Sequence, residues 1–309
     1  MGKKKARRWP DTPTPLAAPV TDNHTHLALG EWDYPRVDSD GLDLAAQLQR
    51  AGEVGVRRII TVGCSVTDLD PTIALTEVWR DAEVRVRAAL AIHPNEAALH
   101  AGITETSPDG LSHDLRDHHV PLDEALAAVD AHLDHPGVVA VGETGIDLYR
   151  TDSAGLDAQQ QSFAAHIEMA RRRDLPLQIH DREAHAETLD VLYDTGADSG
   201  DTPIVFHCFS GGVDLAEHCN RHGWYASFGG SLTFAANDEL RQAFLAMDPG
   251  LIVVETDAPY LTPVPERGHP NASYVMAHTV RFMAGLWEID EEQACRRLEE
   301  NTRRVYGEW

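Results

Sequence analysis

At 309 residues and 42% hydrophobic content, the chain is long enough for one large barrel or two smaller domains. Its net charge is −24, and five of its 26 basic residues (Lys3, Lys4, Lys5, Arg7, Arg8) fall in the first eight positions, which excludes the broad cationic footprint of an extended duplex binder. No apolar run approaches the length of a membrane span, and Cys64, Cys208, Cys219 and Cys295 lack Cys-x-x-Cys spacing, as expected for reduced thiols of a cytoplasmic protein.

Residues 1–19 are basic and then rich in Thr, Pro and Ala, with no apolar stretch of a secretory signal, and read as a disordered tail. From residue 20 to 309 one pattern repeats, with no linker between two domains. Short β-branched or apolar runs alternate with longer amphipathic segments. The runs are Val20–His24, Arg58–Val62, Val84–Ile92, Val138–Gly142, Leu177–His180, Ile204–His207, Trp224–Phe228 and Leu251–Glu255. Between or after them lie helical stretches at Asp43–Gly52, Asp123–Leu133, Gln159–Arg173, Tyr274–Glu288 and Glu291–Tyr306. Eight strands alternating with helices predict a parallel sheet closed as a single (β/α)8 barrel. A doubly wound open sheet is the rival, and it lacks a Gly-x-Gly-x-x-Gly after the first strand. Residues 101–120, rich in Gly, Ser, Asp and His, form a long loop whose His113, His118 and His119 read as solvated, with a lid as the alternative role.

In such a barrel the active site collects at the C-terminal ends of the strands. The polar residues found there are His24 and His26 on strand one, Glu143 on strand four, His180 on strand five, His207 on strand six and Asp257 just past strand eight. His24 and His26, two apart, share one face of an extended strand. Any one of these has an ordinary structural explanation. Together they describe a nitrogen- and oxygen-lined site for one or two divalent cations. At the same rim, His93 and Arg182 are candidate substrate contacts, Arg182 as a bidentate partner for phosphate, and Ser210-Gly211-Gly212 offers backbone N–H groups to an anion.

The motifs Asp22-Asn23-His24-Thr25-His26-Leu27, Ile92-His93-Pro94, Val141-Gly142-Glu143-Thr144-Gly145-Ile146-Asp147 and Gln178-Ile179-His180-Asp181-Arg182 follow one another in the order of a known family. His207-Cys208-Phe209-Ser210-Gly211, Glu255-Thr256-Asp257-Ala258-Pro259-Tyr260-Leu261 and Asn301-Thr302-Arg303-Arg304 continue it. The set resembles the TatD family of metal-dependent hydrolases, often described as deoxyribonucleases, within the amidohydrolase superfamily. The resemblance implies two metal ions, with His24, His26 and Asp257 on one, His180 and His207 on the other, and Glu143 bridging. Zinc suits so imidazole-rich a set, with Mn and Mg as the other choices. Asp257 is then the group that takes a proton from the attacking water. The implied substrate is a nucleic acid 3′ end or a small phosphodiester, and the alternative is an amide, ester or aminoacyl bond. Two stretches depart from the family's usual pattern, Arg267-Gly268-His269-Pro270-Asn271-Ala272-Ser273 and His93-Pro94-Asn95, and both lie at the substrate-facing rim.

Overall fold

The structure, a computed structural model, describes residues 8–27, 41–104, 106–107, 110, 114–151 and 153–309. The eight runs form eight strands: β1 (Val20–Thr25), β2 (Val56–Gly63), β3 (Arg85–Leu90), β4 (Val138–Asp147), β5 (Leu177–Arg182), β6 (Ile204–Phe206), β7 (Tyr225–Phe228) and β8 (Ile252–Val254). All neighbouring pairs are parallel, in the order β1 to β8. The helices between them are α1 (Leu44–Val54), α2 (Leu69–Val78), α3 (Pro94–His100), α4 (Leu122–His132), α5 (Leu156–Arg173), α6 (His185–Asp194), α7 (Val213–His222) and α8 (Asp238–Ala246). After β8 come α9 (Met276–Leu286) and α10 (Glu291–Tyr306). The architecture is the expected (β/α)8 barrel. No helix among the described residues is long and apolar enough to cross a membrane.

Alternation along each strand sorts residues between two cores. Ile59 and Val86 face outward into the large cluster shared with the helices. Ile60, Val62, Ala89, Ala140, Val205 and Val253 form a second cluster with Val305 and Tyr306 of α10. The seam between β8 and β1 is joined by side chain and loop: Asn23 Nδ2 donates to Val254 O (2.8 Å), and Asp257 N donates to His24 O (3.0 Å). His26 N completes the seam on Ala258 O at 2.9 Å. Sequence-distant candidates for the site are thus drawn together by the closure of the barrel itself.

The tail was expected to run to residue 19. Residues 1–7 lie outside those described, but 8–19 are laid against the barrel. Leu16 is buried and its N–H donates to Val54 O (2.9 Å). Tyr274 Oη donates to Pro10 O (2.9 Å), Arg281 Nη2 to Thr14 O (2.9 Å) and Pro15 O (3.0 Å). Prolines have no N–H to satisfy, so a segment rich in them can use its carbonyls as acceptors for side chains of the barrel. Composition alone conceals that role.

One buried histidine ties β4 and α5 to the end of β3. His166 is fully buried; its Nε2 accepts from Ile92 N (3.1 Å) and its Nδ1 donates to Ser162 O (2.7 Å). Burial pushes its pKa down to about 4, against the partly compensating Ser162 bond. The unfolded chain therefore takes up a proton near pH 6.5 that the folded chain refuses until about pH 4. This contribution to stability is complete above pH 6.5 and disappears as pH falls to 4, a change of about 3 kcal/mol. Urea unfolding of metal-free wild type and of His166→Gln across that range should differ by this loss, since the other shifted groups, His93 and Asp22, titrate alike in both. An unchanged slope in the variant would assign the acid sensitivity elsewhere.

Candidate metal centre

The C-terminal strand ends bring all six anticipated side chains into one cluster. Glu143, buried inside β4, which runs on past the expected end at Gly142 to Asp147, is its middle. Its Oε1 lies 3.5 Å from His26 Nε2 and 3.7 Å from His24 Nε2. Its Oε2 lies 3.0 Å from His180 Nδ1 and 2.7 Å from His207 Nε2. Asp257 Oδ1 sits 3.3 Å from His26 Nε2 and 3.9 Å from His24 Nε2. Bonds of about 2.0–2.2 Å to a shared cation leave neighbouring ligand atoms a little over 3 Å apart, which these separations match. His26 falls one residue beyond β1, after an irregularity in the β1–β2 register between Asp22 and Thr25. The His24 and His26 rings accordingly meet edge to face, with centroids 5.2 Å apart, rather than side by side.

The tautomer of His24 can be derived from a chain of hydrogen bonds. Gln178 Nε2 donates to Asn23 O (2.9 Å) and to Tyr306 Oη (2.8 Å). A carbonyl can only accept, so the amide is fixed with Oε1 toward His24 Nδ1, 2.9 Å away. His24 Nδ1 must carry the proton. Its Nε2 is left as a bare lone pair, fully buried and without a hydrogen-bond partner among the described residues. A buried acceptor without a donor costs about 1–3 kcal/mol, and a cation supplies the missing partner. The residues present fit a metal. Sequence reading missed Gln178, although it lies two residues before His180 on the inward face of β5, where a polar side chain is itself a signal. Gln178→Leu keeps the bulk and removes the acceptor. Metal affinity, measured by chelator competition, should drop about 10–100-fold; an unchanged affinity would detach Gln178 from the centre.

His180 is oriented in the same way. Its Nε2 donates to Asp147 Oδ2 (3.1 Å), turning Nδ1 toward Glu143 and His207. Asp147 is held by Tyr149 N (3.0 Å) and Arg150 N (2.7 Å) on Oδ1. Gly145 makes the approach of β4 to β5 possible: its φ is +140°, and a Cβ there would stand 2.1 Å from His180 O. Behind His207, the fully buried Glu255 puts Oε1 3.7 Å from Nδ1 while accepting from Cys208 N (2.7 Å). Asp147 thus stands behind His180 as carboxylates stand behind candidate metal ligands, whereas His207 Nδ1 has no hydrogen-bond partner among the described residues; the sequence reading left both carboxylates unassigned.

Charge in the cluster is strongly biased. Burial alone would raise the Glu143 carboxyl, but His207, His93 and His180 outweigh it and hold it well below its usual range. Burial would likewise raise Asp257, and the His26 hydrogen bond and charge overcome it. For the metal-free imidazoles, burial lowers His180, yet its bonds to Asp147 and Glu143 lift it to about 9. His207 is raised well above its ordinary value by Glu143 and Glu255 despite its burial. The carboxylates thus draw positive charge to this spot, as protons or as cations.

The rim residues separate into different kinds. His93 caps α3: its Nδ1 accepts from Asn95 N (3.1 Å), which leaves the proton on Nε2, 3.8 Å from Glu143 Oε2. Burial keeps the ring neutral, with a pKa near 3. It therefore faces the cluster as a donor and lacks the lone pair a metal needs. Arg182 stacks on Tyr149 with its Cζ 4.0 Å from the ring centroid. Ser210 is exposed, and its hydroxyl proton goes to Asp181 O (2.9 Å), so it turns only lone pairs toward an anion. The loop histidines His118 and His119 approach Glu96 at 3.6 and 3.1 Å; His113 lies outside the described residues. His119 Nδ1 accepts from Arg116 N (2.8 Å), so its Nε2 donates to Glu96 and pins the loop to α3.

A histidine- and carboxylate-lined centre at this face of a (β/α)8 barrel marks the class of metal-dependent hydrolases. The family follows from comparison: the model described as TatD related DNase matches residues 21–307, and the chain belongs to that family. It is 38% identical over 295 residues to the uncharacterized metal-dependent hydrolase TatD of Mycobacterium tuberculosis, covering 93% of this chain and 98% of the relative. The uncharacterized metal-dependent hydrolase YabD of Bacillus subtilis is 29% identical, with 92% and 98% covered. Among solved structures, the TatD homologue YJJV of Escherichia coli K12 superposes with a TM-score of 0.75 at 25% identity, covering 94% of this chain and 98% of that one.

Proposed function

We propose that the protein is a TatD-like nuclease that hydrolyses a phosphodiester at the 3′ end of DNA or RNA with two divalent cations, zinc being the best match. The observation that carries the reading is the split of Glu143: one oxygen faces His24 and His26, the other His180 and His207. A carboxylate so placed offsets repulsion between two cations about 3.5–4 Å apart. When bound, such cations polarise a phosphoryl oxygen and lower the pKa of water from 15.7 to about 7. His24, His26 and Asp257 would hold one, His180 and His207 the other.

The rest belongs to the chain's own groups. Asp257, kept ionised, accepts the proton of the attacking water and returns it to the leaving oxygen. His93 offers its Nε2–H to a non-bridging oxygen. Arg182, held flat by Tyr149, supports a phosphodiester over a neutral carbonyl, because a stacked guanidinium is a rigid partner for phosphate. Ser210 and the two glycines after it would meet the phosphate through their backbone N–H groups, the Ser210 hydroxyl being engaged with Asp181 O. The four free cysteines support a reducing compartment such as the cytoplasm.

The experiment is release of 3′ nucleotides from short single-stranded DNA and RNA with Zn, Mn or Mg, beside a panel of amide, ester and aminoacyl substrates. Faster turnover on the nucleic acids supports the proposal, whereas turnover confined to carbonyl substrates replaces it with the amidohydrolase alternative. The acidic body further predicts that only a terminal nucleotide or two is gripped. A salt titration of KM should give a slope for about two phosphate contacts, far short of the 6–10 of an extended binder. A steep slope would reveal a concentrated basic groove.

A further inference from the structure

Cys64 follows β2 directly and enters the cluster beside Glu143. Its Sγ lies 3.3 Å from Glu143 Oε1, the oxygen that also faces His26 Nε2 at 3.5 Å. The three ligand atoms of His26, Cys64 and Glu143 fall within 4.8 Å of one another. A cation bound at about 2.3 Å from sulfur and about 2.0 Å from nitrogen and oxygen spans such separations. An independent observation points to a ligand at the same place. The unpartnered, fully buried lone pair of His24 Nε2 is aimed at that same Oε1 from 3.7 Å. Cys64 is also anchored from behind. Its carbonyl accepts from His93 N (2.9 Å), and Gly63 before it has no room for a Cβ, which would stand 2.9 Å from Thr72 Oγ1.

We propose that Cys64 is a thiolate ligand on the Glu143 Oε1 side of the centre, and that it biases the site toward thiophilic cations (zinc, cobalt, cadmium) over manganese and magnesium. The inference rests on the metal centre described under the proposed function. In the binding step the S–H bond breaks heterolytically, the sulfur lone pair forms the metal–sulfur bond, and the proton leaves to solvent. No electron transfer is involved. The nitrogen- and oxygen-only set accepts hard and borderline cations alike; one added sulfur shifts that balance toward soft ones.

The test is cobalt(II) titration of the metal-stripped full-length chain, wild type beside Cys64→Ser and Cys64→Ala. Wild type should develop a near-ultraviolet sulfur-to-cobalt charge-transfer band that both variants lack while they retain visible cobalt bands. Cadmium affinity should fall about tenfold or more in the variants, while manganese affinity moves far less. Should a variant fold poorly, wild type alone decides: zinc should protect Cys64 from alkylation, read by peptide mass spectrometry. Equal labelling with and without zinc, or a charge-transfer band and cadmium preference unchanged in the variants, overturns Cys64 and leaves the centre standing. Wild type that takes up no cobalt overturns the centre and this inference with it.

Discussion

Asp257→Asn should lower kcat by about 10²–10⁴-fold at saturating metal, the range associated with loss of a positioned general base. The backbone around Asp257 is held independently of its carboxyl. Its N–H donates to His24 O (3.0 Å), its carbonyl accepts from Tyr260 N (2.9 Å), and its φ of +51° lies in the left-handed region that Asn tolerates well. The variant should therefore fold. Asn keeps an oxygen within reach of a cation but cannot take a proton, so the loss belongs to kcat more than to metal content. Steady-state kinetics with metal held in excess make the measurement. Turnover close to wild type would remove Asp257 from proton transfer.

His24→Ala combined with His26→Ala should abolish most metal binding. Wild type is expected to carry about one to two equivalents of divalent cation, and the double variant close to none on the Asp257 side. Two imidazoles are lost together with the orientation that Gln178 imposes on one of them. The remaining carboxylates, Glu143 and Asp257, would face each other with less positive charge between them. Elemental analysis after dialysis reports the content, and a melting curve on the same samples checks folding. A double variant that binds as much metal as wild type would place the site elsewhere.

The strand ends were legible because two patterns coincide. β-Branched runs locate the strands, and a polar residue at the end of a parallel barrel strand has few structural uses. His24, Glu143, His180, His207 and Asp257 were found this way, and closure of the barrel brings them together. The seam explains why: Asn23, one residue before His24, bonds Val254 more than two hundred positions later. What the sequence could not display are partners across the barrel. Gln178 acts on His24 from 154 positions away, and Tyr306, at the end of the last helix, holds Gln178 in turn. Periodicity tells which face a side chain occupies, not which side chain it meets there. The same limit hid Asp147 behind His180 and Cys64 beside Glu143. Residues 8–19 were missed for another reason, since proline-rich composition describes free chain and chain that lends its carbonyls equally well.

Anomalous diffraction from zinc-loaded crystals should show two peaks flanking Glu143, one within coordinating distance of His24, His26 and Asp257 and the other of His180 and His207. Peaks absent from the barrel mouth, or found instead at Glu96, His118 and His119, would contradict this arrangement.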